Sequence, residues 1–235
     1  MPRKNKLSTF LIILIVTLSS CSVYQPMTTD IPLIHKKNDL RVEAGASLIP
    51  AFTATASYGL SDKFSVQAFG NIGIGDYKKD DFYFQAAGGY YQKYDNDNVF
   101  EWYNGFGYGE GNTGRHHDPD AYLEGNYQLY FTQINYGKIA TGGSNLEYGI
   151  SLKTGYLHTN MLGTNFWSLQ EPGEPSVLYK DENLLFEPIG MIRAGGDHLK
   201  VSLKMGFSYI YKFTNRSNSL PIDYFNLNLG LNYKL

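Results

Sequence analysis

Apolar and polar residues alternate along most of this chain, from about residue 39 to its last residue. Between Phe225 and Leu235 every second residue is apolar, and the residues between them are Asn, Gly or Lys. The same alternation occurs at 40–48, 146–153 and 199–209. Successive side chains of a β-strand point to opposite faces, so this pattern predicts strands with one apolar and one polar face. No stretch of this part has the period of an amphipathic helix.

The alternation predicts ten strands, each of them ten residues long or longer. The predicted strands are 39–48, 51–60, 64–75, 82–93, 98–109, 122–137, 146–157, 184–195, 199–212 and 222–235. The sixth strand is the least regular, because apolar side chains occur on both of its faces. Strands of about ten residues match the length of a tilted crossing of a bilayer.

Short and long connections alternate between these strands. Short turns are predicted near 61–62, 95–97, 142–144 and 195–197, and long links near 76–81, 110–121, 158–183 and 213–221; the short link at 49–50 is the exception. This pattern is typical of outer-membrane barrels, in which the turns are periplasmic and the loops external. Lipid offers no hydrogen-bond partners, so a spanning sheet must close. The predicted fold is therefore an all-β, antiparallel, up-and-down transmembrane β-barrel of about ten strands, with eight as the alternative.

The first twenty residues have a different pattern. Arg3, Lys4 and Lys6 precede a short apolar run that ends at Leu18 and is too short to span a bilayer, which predicts a signal peptide. The passage Leu18-Ser19-Ser20-Cys21 resembles the bacterial lipobox. The resemblance implies cleavage after residue 20, a diacylglyceryl thioether at Cys21 and an N-acyl chain such as palmitate. The alternative is an ordinary secretory signal followed by an unmodified thiol.

Residues 21–38 are interpreted as a lipidated tether, because they show no period and contain Pro26, Pro32 and the pair Lys36-Lys37. The chain is thus divided into a signal peptide at 1–20, this tether, and a barrel at 39–235. An even number of strands places both ends of the barrel on the side of the short turns. The sequence therefore predicts that Cys21 is periplasmic.

Residues 21 to about 140 resemble a family of Bacteroidota outer-membrane barrel lipoproteins. The similar passages are 30–34 (Asp-Ile-Pro-Leu-Ile), 56–64, 88–91 (Gly-Gly-Tyr-Tyr), 104–109 and 130–133. The last strand is similar to the recognition signal of the barrel-insertion machinery, although it ends in Leu235 where Phe is commoner. The resemblance implies a fold, a location in the outer membrane, and the lipoprotein-sorting and barrel-insertion machineries as partners. It implies no activity.

Composition supports a barrel and excludes two other classes of protein. The 20 Tyr, 14 Phe and 25 Gly are residues that sheets and turns favour. A mean hydropathy of −0.31 is typical of half-apolar strands and excludes a helical membrane protein. The formal net charge of −2 offers no basic face for nucleic acid. The expected partners are outer-membrane lipid and an unidentified protein.

If the apolar faces point outward, charged residues of both signs line the interior. The predicted interior charges are Arg41, Glu43, Glu101, Glu147, Lys153, Glu187, Arg193, Lys200 and Lys204. Side chains fill the interior of an eight-stranded barrel, and a ten-stranded one is only slightly wider. These charges are therefore interpreted as a structural network that closes the lumen. A narrow channel that favours anions is the alternative.

The passage Arg115-His116-His117-Asp118-Pro119-Asp120 is the main candidate for chemistry. Imidazoles and carboxylates can bind a transition metal or act as an acid–base pair. The proline and the nearby glycines indicate an ordinary exposed loop instead, so no metal and no cofactor other than the lipid is expected. The longest predicted loop, 158–183, contains Phe166 and Trp167, which would either cap the barrel or contact a partner.

Three functions are compatible with these patterns. The leading hypothesis is a non-enzymatic outer-membrane barrel with a structural, adhesive or partner-binding role. The second is an outer-membrane hydrolase with its site in the long loops. The third is a soluble, lipocalin-like periplasmic barrel that binds an apolar ligand, in which the apolar faces would point inward.

Overall fold

A computed structural model describes residues 24, 27–48, 51–74, 81–115, 118–141, 145–163, 177–213 and 223–235. These residues form one antiparallel sheet of eleven strand segments. The segments are β1 (Leu40–Ser47), β2 (Ala51–Gly59), β3 (Phe64–Gly73), β4 (Phe82–Lys93), β5 (Asn98–Arg115), β6 (Asp118–Lys138), β7 (Leu146–Gly163), β8 (Val177–Gly195), β9 (Leu199–Phe207), β10 (Tyr209–Lys212) and β11 (Phe225–Lys234). None of the described residues belongs to a helix long and apolar enough to cross a membrane.

The sheet closes on itself into a barrel. β1 to β8 each pair with the next strand in sequence, β9 lies between β8 and β11, and β11 pairs with β1. β9 and β10 are two halves of one barrel strand, because both pair with β8 in the same register: Gly206 is opposite Ile189 and Tyr209 is opposite Phe186. The barrel therefore has ten strands, which confirms the predicted fold class.

The interruption at Ser208 has a cause in the facing strand. Pro188 has no N–H to donate, and the shared register places it opposite Phe207. The N–H of Ser208 donates to the carbonyl of Tyr224 at 3.0 Å, on the β11 side, so the backbone of Phe207 faces Pro188. A proline inside a sheet removes one bond of the ladder, and the ladder is interrupted here.

Apolar side chains cover the outside of the barrel and polar ones fill the inside. Ile150 and Leu229 on the outer surface are 67% and 60% exposed, whereas the neighbouring Ser151 and Asn228 are buried. This orientation is the one expected of a barrel whose exterior faces lipid. It is the opposite of what a lipocalin-like barrel requires.

Two hairpins are longer than the alternation predicts. The sequence predicts links at 110–121 and 158–183, but β5 continues to Arg115, β6 begins at Asp118, β7 continues to Gly163 and β8 begins at Val177. The extensions are rich in Gly and polar residues, so neither face carries the apolar stripe that signals a strand. The barrel is consequently uneven, because β5 to β8 have 18 to 21 residues and β1 to β3 have 8 to 10.

The two ends of the barrel differ. We call the end with the short connections at 60–63, 94–97 and 196–198 the turn end; β1 begins there and β11 ends there. We call the opposite end the loop end. Residues 27–34, which the sequence assigns to a tether, are buried inside the barrel between these two ends. Residues 27–34 of the predicted tether are therefore part of the barrel core, whereas Lys36, Lys37 and Asn38 are exposed in the turn that follows.

Candidate functional site

The interior of the barrel is occupied by its own N-terminal residues. We call residues 27–34 the inner segment; all eight are buried. The chain leaves the lumen at the turn end through a turn in which Asn38 has a φ of 62°, a value that Asn tolerates better than most residues. The N–H of Asn38 donates to the carbonyl of Gly59 at 2.8 Å, and its side chain accepts a hydrogen bond from Tyr58. This turn redirects the chain into β1.

A buried ion pair also stabilises this turn. His35 Nδ1 lies 2.8 Å from Asp39 Oδ2, and Arg41 Nε lies 3.8 Å from the same oxygen. Burial opposes ionisation of Asp39, but the hydrogen bond from His35 and the charges of Arg41 and His35 outweigh it, so the pKa of Asp39 lies below its usual range. The carboxylate therefore stays charged and holds the exit of the inner segment next to the start of β1.

Traced backwards from residue 34 to residue 27, the inner segment runs in one direction, from the turn end towards the loop end. The N–H of Ile34 donates to Glu101 Oε1 at 2.8 Å, near the start of β5 at the turn end. Higher up, the N–H of Met27 donates to Glu187 Oε1 at 3.2 Å. At the loop end, the carbonyl of Tyr24 accepts a hydrogen bond of 3.0 Å from the N–H of Asp223, two residues before β11.

Arg193 is the centre of a lower charge cluster. Its Nη2 donates to Asp30 Oδ1 and to the carbonyl of Ile31, both in the inner segment. Its Nη1 lies 3.3 Å from Glu147 Oε2 and its Nε lies 3.6 Å from Glu43 Oε2. All four charged side chains are almost fully buried. A buried charge is tolerated only when it is paired and hydrogen-bonded, and Arg193 meets that condition by binding the inner segment.

Two more cations complete the lower cluster. Arg41 Nη1 lies 2.9 Å from Glu147 Oε2, and Lys204 Nζ lies 2.5 Å from Glu43 Oε1. Three cations thus surround three carboxylates, one of which, Asp30, comes from the inner segment. Asp39, which lies 3.8 Å from Arg41 Nε, is a further carboxylate beside this cluster. Asp30 is therefore the carboxylate that the inner segment contributes to the buried charges of the barrel wall.

Glu187 organises an upper cluster. Lys153 Nζ lies 2.6 Å from Glu187 Oε2 and donates to Thr29 Oγ1 at 3.2 Å. Glu187 Oε1 accepts hydrogen bonds from the hydroxyls of Tyr24, at 2.9 Å, and Ser208, at 2.6 Å. Glu187 of the barrel wall thus accepts hydrogen bonds from Tyr24 and Met27 of the N-terminal chain. Its ion-pair partner Lys153 binds a third residue of that chain, Thr29.

Apolar contacts fill the remaining space. At the turn end, Ile31 and Leu33 pack with Val99, Ile139, Ile189 and Met191. Towards the loop end, Tyr24 and Met27 belong to a larger cluster that also contains Phe69, Tyr83, Ala87, Tyr103, Tyr127, Leu129, Phe131, Leu157, Met161 and Leu185. In that cluster the ring of Tyr127 lies edge-on to Tyr24 at 5.5 Å and stacks on Tyr83 at 5.7 Å.

The remaining predicted interior charges have separate places. Glu101 accepts bonds from Asn135 at 2.9 Å and Tyr103 at 3.3 Å, besides that from Ile34. Lys200 lies at the turn end, where its Nζ donates to the carbonyl of Gly196 at 2.8 Å. Of the nine wall charges predicted from the sequence, these two are outside the two clusters described above.

Asp30 and Tyr24 are among the interior residues that the sequence analysis missed. A signal was available, because Ile31, Leu33 and Ile34 make this stretch more apolar than an exposed linker needs to be, and Asp30 is the acid beside them. The stretch has no strand or helix period, however, so no face could be assigned to it.

Several predicted features lie outside the described residues. These are the signal peptide, Cys21, His116, His117, Phe166 and Trp167. Asp118 is the first residue of β6 and pairs with Arg115 across the hairpin. Within the part of the chain that the structure describes, no group of three or more His, Cys, Asp or Glu side chains is placed to hold a metal ion.

No protein-family model matches this chain, and no curated protein sequence matches it. Solved structures that are similar to it include the KdgM porin in complex with disordered oligogalacturonate, at 10% identity and a TM-score of 0.38. They also include KdgM porin, at 10% identity and a TM-score of 0.37. Each similarity covers 84% of this chain and 99% of the porin chain, and it concerns the barrel fold alone.

Proposed function

We propose that the protein is a lipid-anchored outer-membrane β-barrel that catalyses no reaction and has a structural or partner-binding role. The observation that supports this most is the filled interior. The inner segment is buried along its length and is hydrogen-bonded to β3, β5, β7 and β8. A barrel closed in this way leaves its lipid-facing exterior and its two ends as the surfaces available for interaction.

The apolar exterior supports the membrane location. Large apolar side chains such as Phe52, Ile72 and Leu203 are 63%, 61% and 46% exposed on the outside of a closed sheet. In water, so large an apolar surface would be a site of association. In lipid it is the favourable arrangement, because the closed sheet satisfies its own backbone.

The lipid anchor rests on the sequence. Cys21 directly follows Leu18-Ser19-Ser20, where the lipobox resemblance places the modified cysteine, and it is the single cysteine of the chain. The expected partners in assembly are the lipoprotein-sorting and barrel-insertion machineries, in agreement with the resemblance to Bacteroidota barrel lipoproteins. The alternative is a hydrolase with a site at His116, His117 and Asp118, whose side chains lie outside the described part of the structure.

A conductance measurement tests the closed lumen. The purified barrel in planar bilayers should show no steady stepwise conductance. A variant in which residues 27–34 are replaced by Gly and Ser residues of the same number should conduct, because it lacks Asp30 and the apolar contacts of Ile31 and Leu33. The matched control is Lys36→Ser with Lys37→Ser, since both lysines are exposed in the adjoining turn. Equal conductance of the wild type and the Gly/Ser variant would contradict a structural closure.

A binding measurement tests the partner role. The full-length protein is captured from detergent-solubilised outer membranes, and the proteins recovered with it are identified by mass spectrometry. A variant that lacks residues 164–176, between β7 and β8, serves as the comparison. A partner that binds the loop end should be lost from this variant while the barrel keeps its heat-modifiable mobility on gels.

A further inference from the structure

The direction of the inner segment determines where the N-terminal lipid has to lie. The segment leaves the lumen at the turn end only on its C-terminal side, through residues 35–39. On its N-terminal side it reaches Tyr24, whose carbonyl is bonded to Asp223 at the loop end. We propose that the chain before Tyr24 leaves the barrel at the loop end, so that the lipid on Cys21 enters the outer leaflet of the membrane. This rests on the proposed lipidation and is the reverse of the side that the strand count predicts.

The reach of the chain supports this proposal. Cys21 precedes Tyr24 by three residues, which span at most about 11 Å when fully extended. The ten residues of β11 rise about 30 Å along the strand, or roughly 23 Å along the axis of a barrel whose strands tilt by about 40°. Tyr24 is hydrogen-bonded to Asp223, just before β11 begins. The reach of the three residues is shorter than the length of β11 along the barrel axis, so Cys21 cannot reach the turn end.

The packing of the lumen supports it independently. A chain that returned from Tyr24 to the turn end would have to pass beside the inner segment. That space is occupied by Tyr83, Tyr103 and Tyr127, each of which is at least 97% buried. The buried charge clusters of Glu187 and Arg193 occupy further parts of the lumen. A second pass of the chain would displace these side chains from their partners.

The uneven rim provides a route from the lumen to lipid. On one side of Asp223 the strands are short, with 10 residues in β11, 8 in β1 and 9 in β2, whereas β5 to β8 have 18 to 21. Apolar side chains on the outer surface continue up to this low rim, where Phe52 and Ile72 face each other one residue from the strand ends. Acyl chains attached near the low rim can therefore join the hydrocarbon beside β1, β2 and β11.

One consequence concerns the assembly of the barrel. β1 follows the inner segment directly and pairs with β11, the last strand. Closure of this pair encloses the inner segment, so the N-terminal end has to be placed at the loop end before or during closure. The protein is then held in the membrane both by the lipid on Cys21 and by the apolar exterior of the barrel, and the inner segment in the lumen connects the two.

The experiment compares the accessibility of single cysteines in intact cells. Ser22→Cys, Gly173→Cys and Asp197→Cys are introduced separately, and a membrane-impermeant maleimide is added before or after permeabilisation. Asp197 is exposed at the turn end. Gly173 belongs to the connection between Gly163 of β7 and Val177 of β8, two strand ends that lie at the loop end. Each substitution changes one residue, so the barrel should still assemble, and heat-modifiable mobility confirms that it does.

The proposal expects Ser22→Cys to label together with Gly173→Cys in intact cells, while labelling of Asp197→Cys is lost unless the cells are permeabilised. Labelling of Ser22→Cys only under the conditions that label Asp197→Cys would overturn it, whichever end faces outward. The lipidation itself is read separately in the wild type, whose single thiol should not react. Labelling of the wild-type protein would contradict lipidation of Cys21. The labelling of the three variants would still test whether the chain before Tyr24 leaves the barrel at the loop end.

Discussion

The guanidinium of Arg193 on β8 donates a hydrogen bond to the carboxylate of Asp30, a residue 163 positions earlier in the chain, inside the barrel. Both side chains are almost completely buried. The pair joins the inner segment to the barrel wall at the point where Glu43 and Glu147 also meet Arg193. The contribution of this ion pair, and of the other contacts along the inner segment, to the free energy of unfolding can be measured.

Asp30→Ala should destabilise the barrel by about 3–5 kcal/mol, the usual effect of removing one partner from a buried ion pair. Arg193 would keep Glu147 at 3.3 Å, Glu43 at 3.6 Å and the carbonyl of Ile31, but would lose its only carboxylate partner in the inner segment. The measurement is urea unfolding in lipid vesicles, followed by heat-modifiable mobility. Asp197→Ala, at an exposed position of the turn end, is the control. An unchanged unfolding midpoint for Asp30→Ala would show that the Asp30–Arg193 ion pair does not stabilise the barrel.

Lys153 and Glu187 should show strong coupling in a double-mutant cycle. Their charged atoms lie 2.6 Å apart, and both side chains are buried. Lys153→Met and Glu187→Gln should each destabilise the barrel, and the double variant should be more stable than the sum of the single effects predicts, by roughly 0.5–3 kcal/mol. Additive effects would mean that the pair contributes through other partners. Hydrogen exchange at the Met27 amide gives a second measurement, since its acceptor is Glu187 Oε1. Exchange should become faster in Glu187→Gln.

Gly107→Ala should destabilise the upper part of the lumen. A Cβ at Gly107 would lie 2.1 Å from the Tyr83 hydroxyl oxygen and 2.6 Å from its Cζ, so the ring that stacks on Tyr127 would have to move. Forcing extra volume into a packed interior costs about 1–3 kcal/mol. Gly88→Ala is the matched control, because a Cβ there meets nothing within 4 Å. Similar unfolding midpoints for the two variants would indicate that the aromatic cluster tolerates displacement.

Leu229→Arg should cost about 2–4 kcal/mol if the position lies near the middle of the bilayer. Its side chain is 60% exposed on the outside of β11. Leu235→Arg, one residue beyond the end of the same strand, should cost only about 0–1 kcal/mol, as expected near an interface. Folding titrations in lipid vesicles measure both values. A larger cost at Leu235 than at Leu229 would place the membrane elsewhere on the barrel.

Cys21→Ser should abolish metabolic labelling with palmitate, because it removes the sulfur that carries the diacylglyceryl group and prevents cleavage of the signal peptide by the lipoprotein-specific peptidase. Ser22→Ala, at the next residue, serves as the control and should keep both labelling and processing. Persistent labelling of Cys21→Ser would place the lipid on another residue.

The barrel itself is determined by local sequence. Alternation such as that from Phe225 to Leu235 assigns each side chain to a face without reference to any other strand, because the β-strand period is a property of the backbone. The apolar and polar faces in turn determine which side of the sheet meets lipid. For this reason the order of the strands, their antiparallel pairing and the outward apolar face could all be predicted.

The contents of the lumen are decided by the tertiary structure. Residues 27–34 have no period, and their burial depends on partners such as Glu101 and Arg193, 67 and 162 or more positions away in the chain. The extensions of β5 to β8 are likewise stabilised by pairing between strands and not by an apolar face of their own. The sequence of residues 27–34 alone does not indicate the cavity in which they are buried. That cavity forms only when the sheet closes and brings the charged residues of distant strands around one space.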